Sequence, residues 1–258
     1  MTIATDLRGA SYESHCLDRL LDDRAKQSPS SVAIVAPDRP PLTSERLQRQ
    51  IKAVGGALND VGVRRGDRVA MLLPSGPEMA VAWLGVAAHA ASAPLNPAYR
   101  SSELEFYFSD LNVAALVIES QLDSPAREIA NREQVPVVEL TPARDAEAGL
   151  FDLHWTRTGR PAHAPSALAT PDEVALVLHT SGTTSRPKIV PLRHENLCAS
   201  SRNIAHALAL SEADRCLDVN QLFHIHGLMV MLASVLSGGS VAFLPPAQVA
   251  SSTADGKL

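Results

Sequence analysis

The chain has 258 residues, a formal net charge of -5, 45% hydrophobic residues and 20% charged residues. That length can bury a sizeable core in one large domain or two small ones, and the composition is that of an ordinary globular protein. The acidic balance argues against nucleic acid or an anionic membrane surface as partner, since the densest positive cluster, Arg64, Arg65 and Arg68, is interrupted by Asp67.

Residues 12–27 predict an amphipathic helix with Leu17, Leu20 and Leu21 on one face. "SVAIVA" (31–36) reads as a short strand before the turn "PDRPP". Thr43 or Ser44 is placed to cap a helix carrying Leu47, Ile51, Val54 and Leu58, with Gly62 at its end. A buried strand from Arg68 to Leu73 follows, then a helix opened by Pro77 that is apolar on most sides and so expected to be buried. "SAPLNPAYR" is a loop or short strand, and Ser102 and Glu105 have capping-box spacing before "FYFSDL". Strands are predicted at 113–118 and 135–140 around the helical "SPAREIANRE". The interval 141–170, rich in Pro, Ala and Arg, is expected to be a surface excursion. Glu173 to Thr180 is a strand, "KIVPL" another, and Glu195 to Leu208 a helix. "RCLDVN" and "SVAFLP" close the pattern as strands around a helix from Gly227 to Leu236. Strands alternating with helices imply an α/β fold with a parallel sheet.

Cys16, Cys198 and Cys216 are odd in number, far apart and without a CxxC pair. That points away from a disulfide framework or zinc ribbon and toward a reducing, cytoplasmic setting. The N-terminus lacks an apolar core of signal-peptide type. The run 219–254 carries no Asp, Glu, Lys or Arg, yet Asn220, Gln221, two histidines, Gly238-Gly239 and Pro245-Pro246 interrupt it, so a buried helix and strand explain it better than a membrane span.

Between the strands ending at Thr180 and resuming at Ile189 stands "TSGTTSRPK". Composition alone reads it as a polar turn. Its hydroxyls, its glycine-freed backbone N–H groups and Lys188 are nevertheless the donors that hold a polyphosphate, and the carboxyl ends of parallel strands are where α/β folds bind ligands. A Walker loop is excluded, because Pro187 precedes the lysine and Ile189 follows it. The ordered string resembles the phosphate-binding signature of the adenylate-forming (AMP-binding) superfamily, the acyl-CoA synthetases among them; only Ser185, in place of glycine, departs within it. "GVRRGDRVAMLLPSGPEMAVAWLGVAAHAASAPLNPAYRSSELEFYFSDLNVAALVI" is similar to the N-terminal domain of these enzymes. "QLFHIHGL" is similar to their second signature, with Gln221 in place of proline. The "HTSGTTSRPK" and "FHIHGL" variants look most like the oxalate:CoA ligase branch.

That resemblance implies ATP-dependent adenylation of a small-molecule carboxylate and transfer of the acyl group to coenzyme A, with ATP and magnesium as cofactors. Thr180, Ser181, Gly182, Thr183, Thr184 and Ser185 would wrap the β- and γ-phosphates, Lys188 would add charge, Thr184 would lie near the magnesium, and His224 would line the carboxylate and adenylate pocket. Lys188 and His224 are thus the candidate catalytic residues. His226 keeps the reading of a packed structural histidine, Arg186 that of a solvent-facing charge, and two histidines at HxH spacing make a weak zinc site. Ile189 stands where the superfamily commonly has glycine. Residues 1–246 read as a partial AMP-binding N-terminal domain and 247–258 as a polar tail. The superfamily's later motifs and small mobile C-terminal domain are expected beyond this chain. The resulting expectation is a truncated enzyme completed by a second polypeptide or a homo-oligomer, with a non-catalytic nucleotide-binding module as the alternative.

Overall fold

The computed structural model describes residues 16–155, 168–180 and 187–244. The start of the first predicted helix, the residues 181–186 and the tail from 245 lie outside that set. Strand β3 (Arg68–Leu72) runs through the middle of a seven-stranded sheet, flanked by β4 (Ala91–Pro94) and β5 (Ala115–Glu119). Outward from these come β6 (Val137–Pro142) and β7 (Phe151–Trp155) on one side, β8 (Val174–His179) and β9 (Ile189–Arg193) on the other. The five inner strands are parallel, whereas β7 on β6 and β9 on β8 are antiparallel. The expected parallel sheet is therefore the centre of a mixed one.

Side-chain alternation divides the strands between two cores. Val69, Met71, Ala115 and Val117 face one core with α2 (Ser44–Asp60) and α3 (Pro77–His89). Ala70, Leu72, Leu116 and Ile118 face the other with α4 (Ser101–Leu111) and α5 (Ala126–Arg132). Helix α3 is buried from Met79 through Ala88, as its nearly unbroken apolar sequence requires. It meets α2 closely at Gly85, where an added Cβ would lie 2.7 Å from Val54 Cβ.

A second sheet orders β10 (Arg215–Asp218), β11 (Ser240–Phe243), β1 (Val32–Val35) and β2 (Leu42–Thr43), with β1 parallel to β11. Helices α1 (Leu17–Gln27), α6 (His194–Ala207) and α7 (Ile225–Leu236) complete the described elements. Among the described residues no helix is long and apolar enough to cross a membrane; the uncharged run beginning at Val219 folds as α7 and β11. All three cysteines are free thiols, two of them buried.

Capping was legible in part. Thr43 Oγ1 accepts from Arg46 N at 3.4 Å, as expected for α2. On α4 the box closes two residues earlier than its spacing suggested: Glu103 accepts from Arg100 N at 2.9 Å, while Glu105 pairs with Arg132 at 3.0 Å. The interval 141–170 is also not one surface excursion. Ala148, Leu150 and Phe151 are buried, β7 pairs along β6, and Arg39 holds the connection by donating to the carbonyls of Ala143 (3.0 Å), Ala146 (3.2 Å) and Glu147 (2.8 Å).

His194, 1% exposed, accepts at Nδ1 from the backbone N–H of Leu17 at 3.2 Å, so its ring caps the first turn of α1. Burial lowers its pKa to about 4, against a raising influence from Asp18 and a further lowering one from Arg65.

Two outcomes are expected. Gly85→Ala adds about 1 kcal/mol of helix propensity, but its Cβ collides with a branched neighbour, and overpacking of this kind costs about 1–3 kcal/mol. Urea unfolding should register a net loss, non-additive with Val54→Ala because the two sites touch. For His194, the unfolded chain takes up its proton first as pH falls. Stability should therefore be complete above about pH 6.5 and decline toward pH 4, by up to roughly 3 kcal/mol from this group. Burial lowers the His89 pKa as well, so the His194 share is read as the difference between wild type and His194→Gln in urea midpoints across that range.

Candidate functional site

Strand β8 stops where its sequence turns polar. Its register with β9 pairs His179 with Ile189, and one residue further Thr180 N donates to Lys188 O at 3.0 Å while Thr180 Oγ1 accepts from Lys188 N at 3.4 Å. The two ends of the hydroxyl-rich string are thus clamped to each other. Ser181, Gly182, Thr183, Thr184, Ser185 and Arg186 lie outside the described residues. Ile189, the β-branched departure after the lysine, is the first residue of β9 and packs against the second core; a strand start suits it.

A cavity of about 220 Å³ opens at the carboxyl ends of β4 and β8. Its walls include Asn96, Tyr99, Tyr107, His179, Thr180 and His224. None of the described residues lining it is acidic. Lys188 is exposed beside the opening rather than in the wall. His224 is exposed, not packed in the core, and is the N-cap of α7, so the helix begins at the cavity with its unsatisfied N–H groups. Its ring leans on Phe223, with centroids 4.5 Å apart. His226, expected as a packed histidine, is exposed as well; it is the second residue of α7, whose buried side starts at Gly227 and Leu228.

The segment entering α7 is held from the other sheet. Ser75, in the loop after β3, donates its hydroxyl to Gln221 Oε1 at 3.0 Å and accepts from Leu222 N at 2.9 Å. Gln221 thus replaces a turn-setting proline with a side-chain tether. Gly227 is needed here, because a Cβ would stand 2.9 Å from Gln221 O. Nearby, Asp218 is 3% exposed; Oδ1 accepts from Asn220 N (3.0 Å) and Nδ2 (3.1 Å), and burial raises the carboxyl pKa.

The sequence reading missed the aromatic side of the cavity. Tyr99 and Tyr107 stack with centroids 5.0 Å apart and hydroxyls 3.4 Å apart. Burial and the Tyr107 hydroxyl push the Tyr99 phenol above its ordinary range, so it stays a donor at neutral pH. His179 Nε2 lies 2.9 Å from Asp110 Oδ2. Asn96 and Tyr99 follow β4 directly and could have been found from the rule that α/β ligands sit at strand carboxyl ends; Asp110, on α4, carried no local signal.

A cavity with no acid among its described lining residues, with a hydroxyl and a helix N-terminus, and with the exposed Lys188 next in sequence to the lining Pro187, fits an anionic ligand. Among the described residues no cluster of three His, Cys, Asp or Glu could hold a metal ion.

Comparison with known proteins identifies the relatives of the chain as a whole. The profile of the AMP-binding enzyme family matches residues 21–255. Oxalate--CoA ligase of Arabidopsis thaliana is 38% identical over 91% of this chain and 46% of its own length. Probable CoA ligase CCL9 of Humulus lupulus is 38% identical over 90% of this chain and 44% of its own. The crystal structure of apo MatB from Rhodopseudomonas palustris superposes with a TM-score of 0.76 at 25% identity, covering 93% of this chain and 48% of that one. The chain spans about half the length of the curated relatives it matches. With the family profile running over nearly all of it and curated CoA ligases on the same stretch, the chain belongs to the adenylate-forming AMP-binding enzyme family.

Proposed function

We propose that this chain supplies the phosphate- and carboxylate-handling part of an ATP-dependent acid:CoA ligase, working in the cytoplasm. A carboxylate oxygen attacks the α-phosphorus of ATP, the bond to pyrophosphate breaks, and the acyl-adenylate then passes its acyl group to the thiol of coenzyme A with release of AMP. Thr180, Ser181, Gly182, Thr183, Thr184 and Ser185 hold the β- and γ-phosphates by hydroxyl and backbone donors, and Lys188 adds positive charge as pyrophosphate departs. Thr184 is the residue that would lie near a magnesium ion, whose charge would offset that of the phosphates. His224, at the head of α7, contacts the carboxylate and the adenylate.

What carries this reading is one juxtaposition. Thr180, clamped to Lys188, and His224, from a distant part of the sequence, share a cavity without acidic lining. A carboxylate or phosphate meets no repulsion there. The oxalate ligase relative makes oxalate the first acid to test.

Calorimetry should detect Mg-ATP binding by the purified chain, weakened at least about tenfold in Lys188→Ala by loss of a charge-assisted contact. ATP–pyrophosphate exchange with a carboxylate panel including oxalate then separates the cases. Exchange abolished in Lys188→Ala means that the chain builds a working adenylation site. Binding without exchange means that a complementing polypeptide or a second copy must supply the rest, and absence of Mg-ATP binding sinks the reading. Where exchange is present, His224→Ala should raise the apparent KM for the acid about tenfold or more, the scale expected for one lost charge-assisted hydrogen bond.

A further inference from the structure

At the edge of the cavity a histidine–aspartate pair is left without a role by the proposed chemistry. His179 ends β8 immediately before Thr180. Its imidazole meets Tyr107 edge-on, with centroids 4.6 Å apart, and Tyr107 in turn stacks on Tyr99. Its Nε2 is 2.9 Å from Asp110 Oδ2, across 69 positions of sequence. An ionised carboxylate can only accept, so Nε2 carries the hydrogen and the ring is fixed in one orientation, by a carboxylate at its edge and by a tyrosine across it.

The two partners differ in setting. The His179 side chain is 7% exposed and lines the cavity; that of Asp110 is 36% exposed and does not. A bond to so open a carboxylate contributes little to stability, and α4 is already anchored by Leu104, Phe108 and Leu111. Its geometric effect is larger. Beyond the ring, the backbone of His179 pairs with Ile189, and the next residue makes the reciprocal clamp with Lys188. Holding the His179 ring on α4 therefore sets where the Thr180 hydroxyl stands, and with it the start of the Lys188 strand. Small displacements of binding groups are costly for polyphosphate, because charge-assisted hydrogen bonds depend steeply on distance and angle.

We propose that His179, oriented by Asp110, is a positioning residue for the nucleotide polyphosphate, acting through Thr180 and Lys188. The inference rests on the reading of those two residues as polyphosphate contacts. It requires that the pair act as a unit and that its effect fall on ATP and not on AMP, which lacks the β- and γ-phosphates.

The test is calorimetric titration of the whole chain with Mg-ATP and, separately, with AMP. His179→Phe keeps a ring against Tyr107 and removes the donor; Asp110→Ala removes the acceptor at an exposed helix position. Each should weaken Mg-ATP binding about tenfold, the effect of one lost charge-assisted hydrogen bond. AMP affinity should stay within about twofold, an order-of-magnitude allowance for a group that touches neither ligand. The double variant should lose no more than either single one, and His179→Gln, whose amide can still donate to Asp110, should recover most of the loss. If His179→Phe fails to fold, Asp110→Ala carries the comparison. Unchanged Mg-ATP affinity in both single variants while Lys188→Ala is impaired would overturn the positioning role and leave the phosphate reading standing. Equal losses for ATP and AMP, or additive losses in the double variant, would also overturn it. Failure of the wild-type chain to bind Mg-ATP would overturn both.

Discussion

Strand β3 buries Val69 and Met71 toward one core and Ala70 and Leu72 toward the other, and it stays in place only while both are filled. Its backbone bonds parallel neighbours on each side, so it has no wet face and no free edge. Helices must cover both surfaces, which is why α3 is apolar nearly all round and why α4 and α5 bring Phe108, Leu111 and Ile129 to the opposite side. A polar group in the middle of such a sandwich must find its partner inside it, as Ser92 on β4 does by donating to Ala175 O at 2.7 Å.

Chemistry is consequently displaced to the ends of the strands. At the carboxyl ends of β4 and β8 the chain leaves the sheet, and the side chains there are polar because water reaches them. The cavity is assembled from four directions: the end of β4 with Asn96, α4 with Tyr107, β8 with His179 and Thr180, and the start of α7 with His224. Its charge pattern is one-sided. No described residue of the wall is acidic, and Asp110 pairs with His179 from outside it. The link from Ser75 to Gln221 and Leu222 spans the loops of both sheets, so the position of α7 depends on the same strand, β3, that organises the cores.

Local pattern revealed the elements and, through its ordered strings, the family. The alternation of "VALVLH" and the continuous apolar run of α3 report burial directly. Strand direction was not legible, since whether "KIVPL" returns antiparallel depends on the hairpin it closes with β8. Strand β7 was missed for a related reason: Phe151 to Trp155 alternates, but it is short, edge-bound and flanked by Ala, Pro and Arg, and its pairing is long-range. His224 could be named from its string, but its exposure and N-cap position could not. His226 was misjudged because helical phase, which decides whether a residue near a helix start turns inward, follows from where Gly227 packs. Asp110 and Tyr107 lie a turn apart on α4 with no mark separating them from surface residues; their meeting with His179 is tertiary.

The second sheet joins the two ends of the described chain. Ile34 of β1 pairs with Val241 of β11, Arg24 donates to Gly238 O across 214 positions, and the cap on α1 comes from His194 across 177. Loops of that span are slow to close. During synthesis, β2 and α2 follow β1 and α1 closely, but β11 and His194 come far later, so one edge of β1 stays open while the seven-stranded sheet can already collapse behind it. The edge of β1 that β11 will later cover is thereby left exposed longest, and the segment "VAIV" is the stretch most in need of shelter from other chains.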